Sequence, residues 1–179
     1  MQDCRPDEIG TPILTQENLL HIVKQVANGM AYLASQRIIH GDLAARSCIV
    51  STDLRVKVAD LGIGHDVYRE DYYDNGEQLL PVRWMPPEIL QTAEFTLHSD
   101  MWSFGVFCWE VFAFGRLPYE DVTDEEVLRL VPQGLRLEVP EEGCPISLYS
   151  IMRECWNPHP EARPKFSRLV VAIIDLNLD

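Results

Sequence analysis

Between Ser99 and Phe112 the chain carries Trp102, Phe104, Val106, Phe107, Trp109, Val111 and Phe112, which point in nearly every direction around a helix. A helix apolar all round is stable only in the middle of other elements. The rest of the chain must therefore wrap around this segment. With 179 residues, 46% of them hydrophobic, there is material for one domain or a large piece of one. A mean hydropathy of −0.10 also excludes wholesale disorder.

The wrapping elements are legible from caps and periodicity. Thr15 caps a helix whose Leu19, Ile22, Val23, Val26, Met30 and Leu33 keep one face. Gly29 inside it costs about 1 kcal/mol against alanine, tolerable in a long packed helix. Cys48-Ile49-Val50, a turn at Ser51-Thr52-Asp53, and Val56-Lys57-Val58 predict a small β-hairpin. Residues 63–82 are polar and tyrosine-bearing without helical period, and predict a long exposed loop. Thr123-Asp124-Glu125-Glu126 is a capping box that opens a further helix. Pro145 and Pro164 read as first-turn prolines opening helices over 146–156 and 165–176. Residues 1–14, with Pro6, Gly10 and Pro12, read as an irregular lead-in. The expectation is a mainly α domain over 15–179 with one small hairpin.

A formal net charge of −13 argues against nucleic acid, whose phosphates call for clustered Lys and Arg, and against acidic lipid. The five cysteines form no C-x-x-C pair, so neither a disulfide framework nor a zinc site is supported. His21, His65, His98 and His159 lack metal spacing. No leader and no apolar run of membrane-spanning length is present, and the segment reads as cytoplasmic, without membrane contact.

Chemistry concentrates around the hairpin. Ile39-His40-Gly41-Asp42-Leu43-Ala44-Ala45-Arg46-Ser47 precedes it, and Asp60-Leu61-Gly62 follows eighteen positions past Asp42. Two carboxylates on neighbouring loops suit phosphoryl transfer, one accepting a hydroxyl proton and the other holding Mg²⁺ against nucleotide phosphates. A lone Asp-x-Gly is usually only a turn. Here five further features stand in order behind the first triplet.

Together these residues resemble the C-terminal lobe of a protein kinase, from about Thr15 to Leu176. His40-Gly41-Asp42 is similar to the catalytic-loop triplet and Asp60-Leu61-Gly62 to the metal-binding triplet. Met85-Pro86-Pro87-Glu88 resembles the end of the activation segment. Ser99 to Gly105 resembles the start of the central helix, and Cys155-Trp156-Asn157-Pro158 with Arg163-Pro164 the closing region. Leu43-Ala44-Ala45-Arg46 and the platform Pro81-Val82-Arg83-Trp84-Met85 resemble tyrosine kinases rather than serine/threonine kinases. Tyr68-x-x-x-Tyr72-Tyr73 has the spacing of receptor kinases of the insulin-receptor, neurotrophin-receptor, Ror and muscle-specific groups, and the leucine of Asp60-Leu61-Gly62 leans towards Ror-like relatives.

The resemblance implies a helical lobe that, completed by an N-terminal lobe, transfers the ATP γ-phosphate to protein tyrosines. Asp42 would act as base or orient the tyrosine hydroxyl, with Arg46 beside it. Asp60 would ligate Mg²⁺, and Ser47 would face the nucleotide and the second Mg²⁺. His40, Gly62 and Asp100 would be structural, as would Glu88 and Arg163, which resemble a buried ion pair. Tyr68, Tyr72 and Tyr73 would be regulatory phosphorylation sites, with Arg69 and Arg83 as the basic groups nearby in sequence. In a parent receptor the segment would sit on the cytosolic side of the plasma membrane.

Three departures from the family pattern matter. Gly41 stands where an arginine usually precedes the catalytic aspartate and meets the phosphorylated loop. Ser47 replaces the asparagine that serves the second Mg²⁺; a hydroxyl can ligate magnesium but is shorter. Nothing before Thr15 resembles a glycine-rich loop or its lysine and glutamate partners, so the N-terminal lobe is read as absent. Two readings follow: the catalytic lobe of a receptor-type tyrosine kinase, or a pseudokinase lobe acting as scaffold or dominant-negative partner. A metal-dependent hydrolase built on Asp42 and Asp60 has no other support.

Overall fold

The computed structural model describes residues 14–59, 67–92, 94–141 and 143–176. The helices are α1 (Gln16–Ser35), α2 (Pro87–Thr92), α3 (Leu97–Phe112), α4 (Asp124–Leu130), α5 (Ile146–Cys155) and α6 (Phe166–Ile174). The strands are β1 (Cys48–Val50), β2 (Val56–Val58), β3 (Tyr73–Asp74) and β4 (Leu79–Leu80). Strands β1 and β2 pair antiparallel with Cys48 opposite Val58; β3 and β4 pair with Tyr73 opposite Leu80. A mainly helical architecture with small antiparallel pairs agrees with the fold class read from the sequence.

Helix α3 is the hub. Thr96 caps it in a reciprocal box with Ser99. Met101, Trp102, Phe104, Val106, Phe107, Cys108 and Phe112 are all 1% exposed or less. Helices α1 and α5 pack against it, while α6 and β2 pack against α1. The contact between α3 and α5 is close at Gly105. A Cβ placed there would lie 2.6 Å from Trp156 Nε1 and 2.8 Å from Cys155 Cβ. Neither neighbour is a flexible chain end. Gly105→Ala should therefore cost a net stability of about 1–3 kcal/mol, despite alanine's better helix propensity. Urea unfolding measures this, and a variant as stable as the parent would show that the two helices can separate freely.

The capping predictions match closely. Thr15 forms a reciprocal box with Asn18, and Thr123 forms one with Glu126. Two expectations need correction. Pro145 occupies the N-cap of α5 rather than its first turn, and Pro164 lies ahead of the Lys165 cap of α6. Both helices also end earlier than their apolar pattern, at Cys155 and Ile174.

The second correction concerns the tyrosine-bearing segment. Residues 63–66 lie outside the described residues, but 67–82 is not simply an exposed loop. A 3-10 turn at Arg69–Asp71 directs Tyr72 inward, where it is 4% exposed, and β3 and β4 follow. Polarity misled the sequence reading because the phenol finds polar partners inside. Among the described residues, no helix is long and apolar enough to cross a membrane.

Candidate active site

Asp100, in the first turn of α3 and 1% exposed, accepts the backbone N–H groups of His40 (2.8 Å) and Gly41 (2.9 Å). Burial raises its carboxyl pKa, and those two bonds pull it down. Gly41 has φ +79°, a left-handed conformation that glycine takes without penalty, and its Cβ position would face the Phe95 ring at 3.7 Å. His40 Nδ1 then accepts the Asp42 amide at 3.2 Å. These contacts bend the loop so that Asp42 projects from a fixed backbone.

The 3-10 turn Ala45–Ser47 brings Arg46 back towards Asp42. Arg46 Nη2 bonds Asp42 Oδ1, its Nη1 reaches Asp71 Oδ2 at 3.2 Å, and its Nε donates to the Tyr72 hydroxyl at 2.9 Å. The Tyr72 hydroxyl in turn donates to Asp42 Oδ2 at 2.6 Å. The guanidinium lies 4.6 Å from the Tyr72 ring centre and 4.3 Å from that of Trp84, a double cation–π contact. Its side chain is 4% exposed. Burial lowers the Arg46 pKa, but Asp42, Tyr72 and Asp71 outweigh it and the net shift is upward.

Burial, together with the bond to Asp42, pushes the Tyr72 phenol up to about 12. It is therefore a neutral O–H donor at physiological pH. Burial likewise raises the neighbouring Asp71 carboxyl. A phenol oxygen thus sits between a carboxylate that can take its proton and a guanidinium that holds it.

Asp60 and Gly62 lie outside the described residues. The Ser47 hydroxyl donates its proton to the Asp42 carbonyl, which leaves its oxygen lone pairs available. A hydroxyl oxygen is a hard donor of the kind magnesium takes, so Ser47 is chemically able to face the ion. Among the described residues no cluster of three His, Cys, Asp or Glu forms a metal site, and Cys48, Cys108, Cys144 and Cys155 are free thiols. His21, His98 and His159 are exposed; His65 and Cys4 fall outside the described residues.

The platform residues Pro81, Val82, Arg83, Trp84 and Met85 are buried around a 3-10 turn at Val82–Trp84. Ser103 on α3 donates to the Trp84 carbonyl at 2.9 Å. Arg83 is committed elsewhere: it bonds Asp124 at 2.7 Å and the carbonyls of Pro118, Tyr119 and Val122. It is thus no partner for a loop phosphate, contrary to its place in sequence. Arg69 bonds Asp74 at 2.9 Å and the Tyr72 carbonyl at 3.1 Å. Tyr68 is exposed and Tyr73 half-buried, so Tyr72 alone of the three occupies the site.

Below the platform, Glu88 takes both Nη atoms of Arg163, at 2.6 and 2.9 Å. Arg163 also donates to the carbonyls of Asn157 and His98 and stacks 5.1 Å over Trp102.

Two participants escaped sequence reasoning. Asp71 gave no signal among several loop carboxylates. Glu110 did: a carboxylate inside a helix apolar all round needs polar partners. Its Oε2 accepts the Trp84 indole N–H at 2.8 Å and the Ala45 amide at 3.0 Å.

Comparison with known proteins places the chain in a family. The family model for protein tyrosine and serine/threonine kinases matches residues 9–173. The chain is 45% identical over 177 residues to the insulin receptor-related protein of Homo sapiens, covering 97% of this chain and 14% of that protein. It is 41% identical over 179 residues to the insulin-like growth factor 1 receptor of Bos taurus, covering 98% and 28%. To the putative insulin-like peptide receptor of Hydra vulgaris it is 43% identical over 171 residues, covering 95% and 11%. The chain thus spans only a small part of the relatives it matches. With the family model covering nearly all of it and receptor kinases matching along its length, this chain belongs to the protein tyrosine and serine/threonine kinase family, as a kinase-domain segment similar to those of receptor tyrosine kinases.

Proposed function

We propose that the chain is the helical lobe of a protein tyrosine kinase domain which, joined to a nucleotide-binding lobe, transfers the ATP γ-phosphate to protein tyrosines on the cytosolic face of a parent receptor. The observation that carries this reading is the Tyr72 hydroxyl between Asp42 and Arg46. A substrate phenol in that place has an acceptor for its proton in Asp42. Arg46 holds its oxygen, and the platform Pro81–Met85 supports its backbone. Mg²⁺, held by Asp60 and Ser47, would neutralise charge on the transferred phosphoryl group. Tyr72 excludes a substrate tyrosine while it occupies the site, so its own phosphorylation would release the block. Gly41 carries no guanidinium, so the freed phosphate would have no partner from that position.

The completed domain, incubated with ATP, Mg²⁺ and a tyrosine peptide, should produce phosphotyrosine, and a serine analogue should stay unmodified. Tyr72→Phe should raise the initial rate about 10–100-fold before any loop phosphorylation, since a bond to a charged carboxylate is lost. Mass spectrometry with timed sampling reads both. A completed domain that leaves the tyrosine peptide untouched would overturn the enzymatic reading in favour of a scaffold lobe.

A further inference from the structure

Glu110 touches no reacting atom, yet two parts of the tyrosine-handling apparatus meet on it. Its Oε2 receives the amide of Ala45, the residue before Arg46, at 3.0 Å. The same oxygen receives the indole N–H of Trp84, whose ring lies 4.3 Å from the Arg46 guanidinium. One oxygen therefore fixes both the backbone from which Arg46 departs and the aromatic face on which its head rests. Arg46 passes that order on, through Nε to the phenol oxygen of Tyr72 and through Nη2 to Asp42.

We infer that Glu110 is a positioning residue for phosphoryl transfer to tyrosine, setting the Arg46 guanidinium where it can hold a phenol oxygen beside Asp42. This rests on the proposed roles of Asp42 and Arg46. Burial makes a bystander role expensive: Glu110 is 6% exposed in the buried hub helix α3. Burial pushes its carboxyl up to about 7, against the downward pull of Trp84, Ala45 and Arg46. A leucine would fill the space without that cost. Because both donors reach one oxygen, a neutral amide that presents its carbonyl oxygen there can keep both bonds.

The test is arginine-selective modification of the 179-residue chain with phenylglyoxal, quantified residue by residue by mass spectrometry. In the unsubstituted chain Arg46, 4% exposed at its side chain, and Arg163, 0% exposed, should both react slowly. Glu110→Leu should raise the rate at Arg46 about 10-fold, the scale of one lost hydrogen bond in a coupled set, with Arg163 unchanged. Trp84→Phe, which keeps a ring but removes the N–H, should raise it about 3-fold, and Glu110→Gln should stay within about 2-fold of the parent. Continued protection of Arg46 in Glu110→Leu overturns the inference. So does a parallel rise at Arg163, because that would make Glu110 a support of the whole lobe. Should Glu110→Leu fail to fold, Trp84→Phe decides on the same criterion. The assay needs no catalysis, so its failure is separable from a failure of the kinase reading, which the peptide assay judges.

Discussion

Asp42→Asn should lower kcat for a tyrosine peptide by about 10²–10⁴ in the completed domain, the span of general acid–base catalysis. The substitution keeps the size of the side chain and one carbonyl oxygen for Arg46. It removes the negative charge and the capacity to take the phenol proton. The fold should hardly notice. Arg46 retains Asp71 and its two aromatic neighbours, and Asp42 itself is 32% exposed at its side chain. Unfolding free energy should thus stay within about 1 kcal/mol of the parent. Peptide kinetics and urea titration on the same preparation separate the two effects. A kcat lowered less than about tenfold would remove Asp42 from the proton-handling role.

The largest loss of stability should come from Glu88→Ala. Arg163 has a side chain with no exposed surface, and Glu88 meets it through two bonds. Removing the carboxylate strands a buried charge, which costs about 3–5 kcal/mol. That is a large share of the 5–15 kcal/mol that typically separates folded from unfolded domains. The converse substitution also harms the fold: Arg163→Ala leaves Glu88 unpaired, frees the carbonyls of Asn157 and His98, and uncovers one face of Trp102. Glu88→Leu with Arg163→Met should recover part of the loss, because an apolar pair needs no desolvation, although the carbonyls of Asn157 and His98 still lose their donor. Urea unfolding of the three variants checks this. A loss below about 1 kcal/mol in Glu88→Ala would mean that the two backbone carbonyls suffice for the arginine.

Elements with local signatures were readable in advance. Thr15 and Thr123 announce helix starts through side-chain bonds within one turn, and the apolar girdle of α3 announces its place at the centre. The proximity of Asp42 and Arg46 was also within reach, since four residues and one turn separate them. What was hidden depends on distant parts of the chain meeting. Tyr72 looked exposed because its neighbours are charged, and nothing local reveals that Asp42, thirty positions earlier, receives its hydroxyl. Arg83 looked available for phosphate until the carbonyls around Pro118 and Val122 and the Asp124 carboxylate were seen to enclose it. Glu110 carried the one usable long-range signal, a charge out of place in an apolar helix.

The central position of α3 has a consequence for how parts of this lobe open in time. Asp100 and Glu110, two turns apart or more on one rigid helix, hold both ends of the loop that carries Asp42 and Arg46. Leu43 and Ala44 of that loop are also fully buried in the core, so its opening should lie close to global unfolding, the rarest excursion a domain makes. The tyrosine segment is attached differently, by two-residue strands and a few side-chain bonds. It can leave and return by local fluctuation while everything beneath it stays assembled. On the proposed role of Tyr72, the lobe divides into a mould and a removable occupant, and exchange of one tyrosine for another should proceed on the faster timescale of the occupant alone.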